Sequence, residues 1–183
     1  MRVISGIYKS RKLTGYNMPN IRPTMDKVKE SIFAMLNLYI NDSVFLDLFG
    51  GTGAIGIEAI SNGAKESYII DNDKNSINVI NKNINDIGIK NIKVIHSDYK
   101  EAIKNFSNNE KKFDIIFIDP PYGRIKIKDV LNKINEYNIL CEDGLVVCEY
   151  EDEKIDDNIG SLILFKDKKY GKTVVRIYKS GKW

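Results

Sequence analysis

Hydrophobic positions along the chain recur with two different periods. Val44–Leu48, Ser67–Ile70, Ile92–Ile95, Phe113–Ile118 and Leu145–Glu149 are short runs rich in branched and aromatic residues, as in strands buried on both faces. Between them, Ala54–Asn62, Lys74–Ile87, Tyr99–Phe106 and Ile127–Tyr137 carry apolar residues at helical spacing. Strand and helix therefore alternate, which predicts a parallel sheet covered by helices. The chain ends differently: Ser161–Phe165 and Thr173–Tyr178 read as two strands joined through Gly171 with no helix between them. The expected architecture is α/β and Rossmann-like, a mostly parallel seven-stranded sheet closed by an antiparallel hairpin.

The first forty residues break this rhythm. Residues 2–14 read as a short hairpin, with Val3-Ile4 and Ile7-Tyr8 flanking Gly6 and Lys12-Leu13-Thr14 following. Pro19 and Pro23 punctuate the link to a helix whose apolar face is Val28, Ile32, Met35 and Leu36. Thr24 is its expected N-cap, and Asp26 lies in its first turn, where the helix dipole favours an acid. We therefore expect a hairpin-plus-helix extension over residues 1–40, packed on a core domain over residues 41–183.

Composition narrows the class. At 183 residues the chain can bury a substantial core, and 43% hydrophobic with 29% charged residues is ordinary for a globular protein. No run approaches the ~18 apolar residues of a membrane span, and the N-terminus lacks the apolar centre of a signal peptide. Cys141 and Cys148 flank one expected strand without metal-ligand company, so both are expected to be plain thiols in a reducing cytoplasm. The formal charge is only +3. Its placement is uneven: Arg2, Lys9, Arg11, Lys12 and Arg22 lie in a stretch without a single acid. Such a block suits phosphates, with a solvated basic hairpin as the plain alternative.

Candidate chemistry begins at Asp47-Leu48-Phe49-Gly50-Gly51-Thr52-Gly53, between the first parallel strand and its helix. Glycines there permit a tight turn and close approach to a ligand, and the following helix N-terminus offers unpaired N–H groups. Phe49 stands where a dinucleotide fingerprint would place its first glycine. Asp47 would repel a pyrophosphate but would attract the cationic methionine end of S-adenosylmethionine. Asp71 ends the second strand, about 20 residues past the loop, where an acid accepts from ribose hydroxyls. Asp98, after the third strand, is placed to accept from an adenine amino group, with a backbone N–H nearby; Asn72 and Tyr99 adjoin these acids. The alternative for Asp71 and Asp98 is simple helix capping.

A second motif closes the strand Phe113–Ile118: Asp119-Pro120-Pro121-Tyr122. The prolines stiffen the loop and remove N–H donors, leaving acceptors exposed. An exocyclic amino group on a nucleobase is a poor nucleophile because its lone pair is delocalised into the ring. The Asp119 carboxylate and the Pro120 carbonyl can accept both of its N–H bonds and turn the lone pair toward a methyl donor, while Tyr122 stacks on the base. A paired base would have to be flipped out of its helix to reach such a pocket.

Taken together, these motifs resemble the bacterial 16S ribosomal RNA guanine-N2 methyltransferases of the RsmD type, which share the class I methyltransferase fold. The resemblance runs from Arg2-Val3-Ile4-Ser5-Gly6 and Lys9-Ser10-Arg11-Lys12-Leu13 through Arg22-Pro23-Thr24-Met25-Asp26 and the glycine loop. It continues through Asp119-Pro120-Pro121-Tyr122 to Tyr170-Gly171 and Val174–Tyr178. It implies methylation of one guanine in small-subunit rRNA, within an assembled or assembling particle; the chain's small recognition surface adds the expectation that ribosomal proteins present the base. S-adenosylmethionine is then the donor, S-adenosylhomocysteine the product, and no metal is involved. It also implies that Arg22, Pro23 and Thr24 lie beside the cofactor and target pocket. Asp71 stands where relatives can carry Glu, and Tyr122 where they can carry Phe, so its ring is what counts. The competing readings are an adenine-N6 methyltransferase, which usually carries a separate recognition domain, and a non-catalytic RNA-binding assembly factor, which would not need Asp47, Asp71 and Asp119.

Overall fold

The computed structural model describes residues 1–15, 26–121 and 123–181. They fall into two compact units, Met1–Asp98 and the residues from Tyr99 onward.

The first unit contains α1 (Asp26–Leu36), β1 (Val44–Asp47), α2 (Ala54–Ser61), β2 (Glu66–Asp71), α3 (Lys74–Ile87) and β3 (Ile92–His96). β1 and β3 both run parallel to β2, one on each side, with Asp47 opposite Ile69 and Asp71 opposite His96. Parallel pairing puts the carboxyl ends of adjacent strands on one edge, and Asp47 and Asp71 both close strands there. Every residue of α2 is buried, as a helix apolar on nearly all sides must be. α3 is amphipathic and turns Ser76, Ile80, Asn83 and Ile84 inward. The Asp73 side chain caps it by accepting from Asn75 N at 3.0 Å, so the capping role considered for Asp71 belongs two residues later.

The N-terminal segment departs from the expected hairpin. Residues 2–14 make a single isolated antiparallel bridge, Arg2 to Lys12, without a strand ladder. Val3 N donates to Arg11 O at 2.9 Å and Leu13 N to Met1 O at 3.0 Å. Ile7 and Tyr8, expected to pair with Val3-Ile4, instead donate to the end of α2, Ile7 N to Ser61 O at 2.8 Å and Tyr8 N to Ser61 Oγ at 3.0 Å. Gly6 makes this approach possible: its φ is +77°, and a Cβ there would sit 1.7 Å from the Ser61 carbonyl oxygen.

One carboxylate holds the segment down. Glu58, the lone acid in α2, accepts from Ile4 N, Ser5 N and Ser5 Oγ, and its Oε2 lies 3.2 Å from Lys29 Nζ. Both side chains of this ion pair are fully buried. Removing one partner leaves the other charged and unpaired in the core. Glu58→Ala is expected to destabilise the protein by about 3 kcal/mol in chemical denaturation; a change under about 0.5 kcal/mol would mean the pair contributes nothing to stability.

The second unit contains α4 (Tyr99–Asn108), β4 (Phe113–Ile118), α5 (Ile127–Glu136), β5 (Leu140–Tyr150), β6 (Asn158–Ile159), β7 (Leu162–Tyr170) and β8 (Thr173–Ser180). β4 and β5 are parallel. β8 lies antiparallel between β5 and β7, and β6 pairs with β7. Eight strands therefore occur among the described residues, one more than expected, because the two-residue β6 is too short to leave a periodic pattern. The terminal β7–β8 hairpin is present as predicted and inserts β8 beside β5. Cys148 is buried in β5 and Cys141 is partly exposed near its start; both are free thiols.

Candidate active site

In the first unit the loop after β1 is pinned from several sides. Gly50 N donates to Ile70 O at 2.7 Å and Gly53 N to Gly50 O at 2.7 Å. Gly51 N donates to the Asp71 carboxylate at 2.8 Å. Gly53 has φ +79° at the N-cap of α2 and offers no side-chain cap, so the N-terminus of the helix is left to other acceptors. Phe49 is half-buried beside the glycines. The sequence motif thus folds into a rigid, backbone-lined turn.

Its two acids sit in different surroundings. Asp47 is buried, with Oδ1 accepting from Phe49 N at 3.3 Å. Burial pushes its carboxyl up to about 7, with the nearby Asp71 charge adding to the effect and the Phe49 N–H opposing it. Asp71 is raised by partial burial, opposed by N–H donation from Asp73 and Gly51. Backbone N–H groups of Asp73, Gly51 and Asn72 thus favour the ionised, accepting form of Asp71 and anchor the loop to it. A buried carboxyl near neutrality is a site that a cation would ionise. That chemistry fits the ammonium end of S-adenosylmethionine and does not fit a pyrophosphate.

The remaining candidates are distributed as follows. Asn72 is exposed, and its carbonyl oxygen lies 3.0 Å from His96 Nε2. Asp98 is exposed at the end of the first unit, and its carbonyl accepts from Ser97 Oγ at 3.0 Å. Tyr99 begins α4 with its ring buried. Arg2, Lys9, Arg11 and Lys12 are all exposed. Arg22 and Thr24 lie outside the described residues, as does Tyr122.

In the second unit β4 delivers Asp119 half-buried at its carboxyl end, followed by a buried Pro120 and an exposed Pro121. Arg124 N donates to Pro121 O at 3.4 Å, closing a turn after the tetrapeptide. Sequence reasoning did not identify Glu153, which fixes the far end of this loop: its carboxylate accepts from Ile127 N at 3.0 Å and Lys128 N at 3.1 Å, capping α5 from outside the helix. No local pattern announces a cap supplied from 26 residues away. Among the described residues no cluster of three or more candidate metal ligands occurs, and no helix is long and apolar enough to cross a membrane.

The parallel strands alternating with helices, the antiparallel terminal hairpin, the glycine turn between two strand-end acids and the Asp-Pro-Pro motif after β4 define a class I S-adenosylmethionine-dependent methyltransferase. The chain belongs to the family described as Conserved hypothetical protein 95, whose model matches residues 1–179. It is 40% identical to "Putative rRNA methyltransferase YlbH" of Bacillus subtilis over 98% of both chains. It is 32% identical to "Ribosomal RNA small subunit methyltransferase D" of Haemophilus influenzae, covering 98% of this chain and 94% of that one. Among solved structures, "Putative methyltransferase yhhF from Escherichia coli" superposes with a TM-score of 0.86 at 26% identity, over 99% of this chain and 98% of that one.

Proposed function

We propose that this protein transfers the methyl group of S-adenosylmethionine to the exocyclic N2 amino group of a guanine in 16S rRNA of the small ribosomal subunit, in the cytoplasm. The observation that carries the substrate is the end-to-end match to a relative named for small-subunit rRNA methylation. When bound, S-adenosylmethionine supplies an electrophilic methyl carbon on a sulfonium. The chain's residues then bind and orient. Asp47 provides the counter-charge for the amino acid end, and Asp71 accepts from the ribose hydroxyls. Phe49 and the backbone of Gly50, Gly51 and Gly53 line the donor. Asn72, Asp98 and Tyr99 contribute on the adenine side, and Arg22 and Thr24 serve beside the cofactor and target pocket.

On the target side, Asp119 and Pro120 accept the two N–H bonds of the guanine amino group, with Pro121 stiffening the loop and Tyr122 stacking on the base. With that lone pair turned to the donor, the amino nitrogen would take the methyl group as the carbon–sulfur bond breaks, leaving a neutral thioether, and Asp119 or water would accept the surplus proton from nitrogen. Residues 1–40 act as an RNA-facing extension whose exposed Arg2, Lys9, Arg11 and Lys12 contact phosphates.

The reaction is tested with labelled S-adenosylmethionine and three substrates side by side: small subunits from a strain lacking this gene, naked 16S rRNA and duplex DNA. Label recovered as N2-methylguanosine from subunits is the expected result; N6-methyladenine in DNA would overturn the substrate. The extension has its own test. Replacing Arg11 and Lys12 by glutamine is expected to weaken RNA binding and to lower the slope of log affinity against log salt by about 1 to 2. An unchanged slope would mean these cations do not meet RNA.

A further inference from the structure

Asn83 lies on the inward face of α3 and is 1% exposed. Its side-chain amide makes four hydrogen bonds. Oδ1 accepts from Thr14 N at 2.8 Å and from Thr14 Oγ1 at 3.0 Å. Nδ2 donates to Thr14 O at 3.2 Å and to Thr52 O at 2.9 Å. Both lone pairs and both protons of the amide are therefore used. Three bonds hold the N-terminal segment, and the fourth holds a backbone carbonyl inside the glycine turn.

A second observation points to the same junction. Gly15 has φ +101°, and a Cβ there would lie 2.5 Å from Val79 Cγ1 on α3 and 3.2 Å from Thr52 Cγ2. The chain at Thr14-Gly15 thus passes close against both α3 and Thr52. Neither a carboxylate nor an apolar side chain at position 83 could replace the amide, because only an amide accepts twice and donates twice from one planar group. Such a fully satisfied buried group specifies one arrangement of the backbones that it joins.

We propose that Asn83 is a positioning residue for methyl transfer: it fixes the cofactor turn at Thr52 and the N-terminal segment at Thr14 in one mutual register. The segment leaving Gly15 leads in sequence to Arg22 and Thr24, so its starting point is set by the residue that sets the turn. This inference rests on the reading of the 47–53 loop as the cofactor site and of the N-terminal segment as RNA-facing.

The test compares Asn83→Ala, Asn83→Asp and Thr14→Ala in full-length protein. S-adenosylhomocysteine binding is measured by calorimetry at a temperature where each variant is fully folded. KM for S-adenosylmethionine and for small subunits is measured alongside. Asn83→Ala and Asn83→Asp are expected to weaken S-adenosylhomocysteine about tenfold and to raise KM for both substrates. Thr14→Ala removes only the Oγ1 bond and leaves both backbone bonds at Thr14 and the Thr52 bond in place, so it is expected to bind S-adenosylhomocysteine within twofold of wild type and to raise KM for the subunit less than Asn83→Ala does. Variants that melt earlier but bind S-adenosylhomocysteine and both substrates normally when folded would reduce Asn83 to a packing residue and overturn the proposal. If the wild-type protein binds S-adenosylhomocysteine but methylates no RNA, the function reading fails while the binding arm still decides the role at Thr52. If it does not bind S-adenosylhomocysteine at all, both readings fall.

Discussion

Asp119→Ala is expected to lower the rate of methyl transfer by about 10³-fold while leaving S-adenosylhomocysteine affinity within about twofold of wild type. The reason lies in the amino group. Its lone pair is shared with the purine ring, so attack requires both N–H bonds to be held by acceptors outside the ring plane. Alanine leaves the Pro120 carbonyl, which can hold one of them. The other N–H is then free, and the amino group relaxes into conjugation. The two consecutive prolines fix their own φ angles whatever stands at 119, and Arg124 N donates to Pro121 O. Loss of the carboxylate is therefore expected to act on the chemical step more than on donor binding. Asp119→Asn keeps an acceptor oxygen but not its charge, and is expected to fall between, at about 10- to 10²-fold. Single-turnover rates on subunits separate these cases from binding defects. Residual activity of Asp119→Ala within tenfold of wild type would sink the acceptor role.

Elements with a clear period were legible in the sequence. β4 and α3 have the bounds their patterns predict, Phe113–Ile118 and Lys74–Ile87. One is an apolar run interrupted only by Asp114, and the other is framed by Asp73 and by Gly88, which takes φ +84°. Strands that extend past their apolar centres were read short. β5 begins at Leu140, five residues before the expected Leu145, because Glu142-Asp143-Gly144 looks like a turn and Asp143 does adopt φ +61°. β7 runs on through Lys166–Tyr170, whose charged residues hide the ladder that pairs them with β8. The site shows the same division. Asp47, Asp71 and Asp119 stand at strand ends that the pattern locates. Glu58, Lys29 and Asn83 act through contacts across 27 to 69 residues of sequence, which no local period encodes. A weak signal was present: each is a polar residue on a largely apolar buried helix face, as Lys29 is among Val28, Ile32, Phe33 and Leu36. Buried polar residues need partners, and the partners are only visible in three dimensions.

Asp47→Asn is expected to make the protein more stable and unable to hold its cofactor. The wild-type carboxyl is buried and titrates at about 7, against 3.8 for an ordinary aspartate. Below pH 3.8 the group is protonated in folded and unfolded chains alike, and its ionisation costs nothing. Between 3.8 and 7 the folded protein keeps a proton that the unfolded chain releases, so stability falls as pH rises. Above 7 the whole cost is present, at most about 4 kcal/mol. Asparagine resembles the protonated acid at every pH and still accepts from Phe49 N. Its stabilising effect should thus be negligible near pH 4, grow through the interval and level off above 7. Binding runs the other way. The ammonium of the ligand's amino acid end favours ionised Asp47, so wild-type affinity for S-adenosylhomocysteine should rise about tenfold per pH unit up to about 7 and then flatten. The asparagine variant should bind at least 10²-fold more weakly at pH 8, with no such rise. Thermal melts and calorimetric titrations from pH 5.5 to 8 check both halves. A variant that binds as tightly as wild type, or a wild-type affinity that is flat in pH, would show that Asp47 does not face the cofactor's charge. In that case the raised pKa would reflect burial and the neighbouring Asp71 charge only, and the anchoring of the amino acid end would have to come from other groups around the glycine turn.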